Sequence, residues 1–345
     1  MPNKPCGCSC SCTPTHPPTA RKAARKLARL TIQPLPASQP RLDPAALPAL
    51  AARLTERDFQ ILDHLHRHQV LTTHQIQRMF FGIVQATRAR MSTLLALNAV
   101  VRFRPWAGYG AGSAPIHWAL GKAGAHVLAA RREVTVKELG YDPDTKVSAS
   151  SRLHHQVGVN DFFSRLHAHA RHTPTAALKA WLSEMECGRR WGDLARPDAY
   201  GCWTESSRQI DFFLEHDTGT EPLKRVAAKV DHYRDLADAT RFSTPVLFWL
   251  PNRTRETNLR KLLATHLNDD EIPVATAVHT HNGDSPAGPI WLPAFAEAGQ
   301  PRMRLANLDQ GWPHLTLGTI PDPPDTSQDE NAFLDRIFGQ EGSER

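Results

Sequence analysis

The chain has 345 residues, 41% of them hydrophobic and 7% aromatic, with 41 Lys and Arg against 35 Asp and Glu. That length is a prior for two domains, each able to bury its own core, and no apolar run approaches a membrane span. The opening stretch "MPNKPCGCSCSCTPTHPP" holds no apolar segment to act as a secretory signal, so a cytoplasmic location is expected.

Residues 1–52 read as a flexible basic arm, with "ARKAARKLARL" as a short basic helix inside it. Cys6, Cys8, Cys10 and Cys12 are spaced more closely than the ligands of common zinc sites. They are expected to be reduced thiols in a polar tail, with metal binding as the alternative.

An ordered unit is predicted over 53–133. Thr55 with Asp58 forms a capping signature ahead of a helix carrying Phe59, Ile61, Leu62 and Leu65. Thr72 with Gln75 starts a second helix. In the third, Val84, Thr87, Met91, Leu94, Leu95 and Asn98 share one face, leaving Gln85 and Arg90 outward and Arg88 on the flank. "VVRFRPW" and "IHWALG" then alternate as strands around a Gly-rich loop, with Arg102 and Arg104 on one side of the first. Another helix, "KAGAHVLAARR", closes the unit.

Three helices and a hairpin in that order predict a winged helix-turn-helix, whose third helix enters the major groove. Gln85, Arg88 and Arg90 are the expected base and phosphate readers, and Arg102 and Arg104 the backbone contacts. Winged helices also serve as protein-interaction modules. Charge favours DNA: residues 1–132 hold 18 Lys and Arg against 4 Asp and Glu, whereas the remainder holds 23 against 31. Between Asp63 and Glu133 there is no Asp or Glu and there are nine Lys or Arg, the footprint of a polyanion partner.

Residues 134–152 are expected to be a linker. Over 153–295 the pattern reads helix, three strands, helix, strand, helix, strand, an α/β sandwich around one mixed sheet. The first strand is expected to end near Glu184 or Glu186, the second to start near Asp198, and the third to be "RQIDFFLEHD". Residues 296–345 form an extension in which Phe333, Leu334, Ile337 and Phe338 make one apolar helix face. That face either docks a partner or belongs to the protein's own packing.

Alternation places Asp211, Phe213, Glu215 and Asp217 on one side of the third strand. On the next helix Val226, Lys229, Val230 and Tyr233 share a narrow sector, so Lys229 leans toward the strand end with the carboxylates, and Asp198 can complete the group. Carboxylates from adjacent strands suit Mg²⁺ or Mn²⁺, with Asp198 and Glu215 as ligands and Lys229 near a water or phosphate. The alternative is a buried ion-pair network with Lys229 snorkelling past the helix edge.

The element order, with "RPD" on one strand and "E-x-D" on the next, resembles the PD-(D/E)XK nuclease superfamily. That resemblance implies roles for Asp198, Glu215 and Asp217, for Lys229 as the displaced lysine, and for Glu184 as an assisting glutamate. Asp217 stands where that superfamily places its lysine. From about Leu54 to Leu263 the chain also resembles the replication-relaxation family of actinobacterial plasmids and integrated elements. "LTERDFQILDHLHRHQVLTTHQIQRMFF", "HHQVGVNDFF", "RPDAY", "FFLEHDTGT" and "KVDHYRDL" carry the likeness. It implies a winged-helix DNA-binding protein with a nuclease-like second domain, meeting duplex DNA and plasmid replication or transfer proteins. A non-catalytic scaffold in a replication or conjugation assembly is the other expectation.

Overall fold

The computed structural model describes residues 47–105, 114–142, 152–241, 243–267, 272–279, 284–297, 299–315 and 317–318. The arm before residue 47, the cysteine run, the hairpin tip, residues 143–151 and the stretch Phe333 to Phe338 lie outside them.

The first unit holds α1 (Leu47–Ala51), α2 (Glu56–His68), β1 (Leu71–Thr72), α3 (Thr73–Phe80), α4 (Val84–Ala96), β2 (Val100–Phe103), β3 (His117–Leu120) and α5 (Lys122–Arg131). Both predicted capping boxes form. Asp58 accepts the Thr55 N–H at 2.7 Å, and Gln75 accepts the Thr72 N–H at 2.8 Å, each satisfying a donor that a helix start would otherwise orphan. The three strands pair antiparallel in the order β1-β3-β2.

The second unit begins with α6 (Leu153–His172) and β4 (Ala176–Ser183), and continues through α7 (Glu184–Trp191), β5 (Ala199–Glu205) and β6 (Arg208–His216). Then come α8 (Leu223–Thr240), β7 (Val246–Leu250), α9 (Arg253–His266), β8 (Val274–Val278) and β9 (Leu292–Pro293), with a 3₁₀ helix at Leu305–Gly311. Strands β4 to β9 form one six-stranded sheet in sequence order, parallel at β6–β7 and β7–β8 and antiparallel elsewhere. The protein is α/β with a mixed sheet, as expected. One face packs α6 through Phe162, Phe163 and Leu166, and the other packs α8 and α9 through Val226, Val230, Leu259 and Leu263.

Three expectations are corrected. The stretch after Ser183 is a helix, because Ser183 caps it and accepts from the Glu186 N–H while Glu186 accepts the Ser183 N–H at 2.7 Å. The strand ends at Ser183, beside the expected Glu184, which is the first residue of α7, a helix absent from the expected order. The second unit also runs past residue 295: Leu305, Leu308 and Trp312 are buried in the same apolar cluster as α6. Finally, the two units share a core. Ile61, Leu65 and Ile76 of the first belong to one cluster with Phe163 and Trp181 of the second, and Leu139 of the expected linker is buried in it. Among the described residues no helix is long and apolar enough to cross a membrane.

Candidate carboxylate site and basic face

The register of β5 and β6 pairs Ala199 with Leu214, so the next pair along the ladder brings Asp198 opposite Glu215. The His216 N–H donates to Asp198 Oδ2 at 2.7 Å and continues that pairing beyond the last strand residue. Phe213, two positions before Glu215, packs in the cluster of α8, which confirms the face assigned by alternation. From α8, Lys229 Nζ donates to Glu215 Oε2 at 2.5 Å, and the Tyr233 hydroxyl donates to Glu215 Oε1. From α6 on the other side, His155 Nε2 lies 2.9 Å from Asp198 Oδ1. Gly158, one turn further along α6, lets the helix approach so closely that a Cβ there would stand 2.0 Å from the His216 ring.

Asp198, Glu215 and Lys229 thus converge at the ends of β5 and β6. Burial works against the charge of Asp198, but His155, Lys229 and the His216 N–H hold it below the usual carboxylate range. Burial and the Asp198 carboxylate push Glu215 up to about 7, against the pull of Lys229 and Tyr233. Burial opposes the Lys229 charge as well, yet Glu215 and Asp198 raise it. The arrangement can hold one proton shared among closely packed groups. Its route to solvent is Lys229, whose side chain is 32% exposed where that of Glu215 is 4%.

The remaining expected residues sit apart from this group. Asp217 lies just beyond β6 and accepts from both Arg255 Nε and Arg255 Nη2, the latter at 3.0 Å, so an arginine supplies the positive charge that its position lacks. Its Oδ1 also accepts the Gly219 N–H at 2.8 Å, across a turn that Gly219 enters with φ of +84°. Glu184 pairs with Arg152 at 2.6 Å. His155 and Arg255 were not singled out from sequence. His155 lies in the run "HHQVGVNDFF", and its signal was a polar residue at the start of an otherwise core-facing helix.

Mg²⁺ asks for oxygen ligands in octahedral geometry. Asp198 and Glu215 are of the right kind, but each of their four oxygens already has a partner, two of them Lys229 and His155. Among the described residues no group of three or more His, Cys, Asp or Glu is suited to a metal ion. As placed, these residues do not fit the ion.

On the first unit, Gln85 and Arg88 are exposed on α4, and Arg102 and the following Arg104 are exposed beside the buried Phe103. Arg90 differs from the expectation. Its guanidinium spans both oxygens of Asp58, through Nε at 2.8 Å and through Nη2, and Nη2 also reaches the Arg53 carbonyl at 3.2 Å. Asp58 is 1% exposed, so Arg90 is held by the need to neutralise a buried carboxylate.

A family model described as Replication-relaxation matches residues 62–247, from the middle of α2 into β7. No curated protein and no solved structure matches the chain.

Proposed function

Because that match covers more than half of the chain, the protein belongs to the replication-relaxation family, and we propose that it binds duplex DNA in plasmid or mobile-element replication. In this reading the first unit is a winged helix-turn-helix. The observation that carries it is the exposed set Gln85, Arg88, Arg102 and Arg104 in a stretch without a single Asp or Glu between Asp63 and Glu133. Gln85 and Arg88 lie near the start of α4, where a recognition helix meets base edges, and the two strand arginines hold phosphates. Arg90 is left out of the reading surface because Asp58 engages it.

The test is duplex binding by fluorescence anisotropy between low and moderate salt. Affinity should fall steeply as salt rises, because each phosphate contact releases counterions. Arg102→Ala should weaken binding to all sequences and flatten the salt slope by about one, and adding Arg88→Ala should weaken binding further and relax sequence preference. Binding that ignores both salt and the double variant would leave the scaffold reading in its place. The group of Asp198, Glu215 and Lys229 is read as structural, because each of the four carboxylate oxygens already has a protein partner. Supercoiled plasmid incubated with the protein and Mg²⁺ or Mn²⁺ should stay un-nicked, and nicking lost in Asp198→Ala with Glu215→Ala would overturn that reading.

A further inference from the structure

A cleft of about 410 Å³ opens where the two units meet, lined by the end of α2, the start of α6, α7 and the approach to β5. Its wall carries four arginines, Arg67, Arg152, Arg189 and Arg196, against one carboxylate, Glu184. Two of these are neutralised. Arg67 donates to Glu186 at 2.8 Å, and Arg152 to Glu184 at 2.6 Å. The other two keep no carboxylate partner among the described residues. Arg196 donates to the Gly192 carbonyl at 3.0 Å, and Arg189 approaches only the Met185 sulfur at 4.0 Å. Both are exposed, and Arg196 stands two residues before Asp198.

The rest of the lining suits more than a bare phosphate. Met185 is 43% exposed, an apolar surface on which a sugar or base can rest. Gln69 and Gln156 place amides in the same wall. Gln69 has φ of +63° and ψ of −47°, and the Val70 N–H closes on the His68 carbonyl at 2.7 Å, a tight γ-turn of the strained kind. Asn160 of α6 holds that turn by donating to the carbonyls of both His68 and Val70, at 3.2 and 2.6 Å. A strained, exposed polar residue pinned by a buried side chain from the other unit is the kind of feature found at binding sites.

We infer that this cleft is a second nucleic-acid site, which takes the sugar-phosphate backbone of one DNA strand on Arg189 and Arg196. It rests on the reading of the protein as DNA-binding and adds a second contact surface near the start of β5. Its volume is that of a site for a nucleotide-sized group.

The test compares three forms of the full chain: the parent, Arg189→Ala with Arg196→Ala, and a charge-matched control, Lys179→Ala with Lys261→Ala, both exposed and outside the cleft. Anisotropy with duplex and single-stranded oligonucleotides is read at about 50 and 200 mM salt, the span over which several phosphate contacts register strongly. In the cleft variant, the drop in affinity between the two salts should shrink by about tenfold, the share of two phosphate contacts. The control and the melting temperature should stay near the parent. A cleft variant indistinguishable from the control overturns the inference, and if Arg88→Ala with Arg102→Ala then still loses binding, the main reading stands without the cleft. If inorganic pyrophosphate stabilises the parent but not the cleft variant while DNA affinity is equal in both, the cleft takes a free anion and the strand is ruled out. A parent that binds no DNA overturns both.

Discussion

The two units treat charge in opposite ways. The first exposes Arg88, Arg102 and Arg104, and the carboxylate it buries, Asp58, is matched by Arg90. The second buries Asp198 and Glu215 against His155 and Lys229 at the ends of two strands, and pairs the separately buried Asp217 with Arg255. Exposed cations act at a distance on any polyanion and are weakened by salt. Buried charges are committed to one geometry, because each unpaired ion out of water costs several kcal/mol. The first arrangement is suited to meeting a partner, the second to fixing the end of a sheet.

The largest effect should come from breaking the buried group. Lys229→Met leaves Glu215 facing Asp198 without its cation, and loss of one partner of such a pair costs roughly 3–5 kcal/mol. Urea denaturation at neutral pH measures it, and a change under about 0.5 kcal/mol would show that the network is not structural. Next comes the first unit's own exception. Arg90→Ala strands Asp58 and should cost about 2–3 kcal/mol, whereas Arg88→Ala should alter stability by no more than about 0.5 kcal/mol while weakening DNA binding. Equal stability of the two variants would erase the distinction between held and free arginines.

The most gradual effect lies where the units meet. His68 is buried, stacks on Trp181 with centroids 3.5 Å apart, and has no hydrogen-bond partner for either ring nitrogen among the described residues. Burial, with Arg67 and the nearby histidines, holds it well below its ordinary range, and burial with His64 and Arg171 lowers His167 to about 4. Well above pH 6.5 both folded and unfolded chains hold these rings neutral. As pH falls from there toward 4, the unfolded chain takes up protons that the folded one refuses, so stability declines, by about 1.4 kcal/mol per pH unit for each such proton. His167→Phe should flatten that decline between pH 6.5 and 4, as followed by thermal melts. An unchanged slope would mean that the unfolded chain gains nothing there.

Legibility from sequence followed locality. Thr55 with Asp58 and Thr72 with Gln75 announced their helices because a capping box is made within four residues. Ser183 with Glu186 is the same device, yet the apolar run before it drew the strand onward and hid α7. Glu215 and Lys229 could be placed together because strand alternation and helix periodicity each fix a face, and β6 and α8 are neighbours in the chain. His155 and Arg255 meet their carboxylates across 43 and 38 residues, and no local period carries that information.

The sequence by itself determined the α/β class, most of the element order, the basic character of the first unit and the convergence of Glu215 with Lys229. These depend on side-chain periodicity, capping and charge count, which act over a few residues. The tertiary structure alone decided that Arg90 belongs to Asp58, that Asp217 is claimed by Arg255, and that residues 299–312 complete the core. It also decided that both units share one apolar cluster, with a cleft between them whose arginines come from distant parts of the chain. Those outcomes turn on desolvation: a carboxylate out of water takes whichever cation the packing brings within reach, and packing is a property of the whole chain.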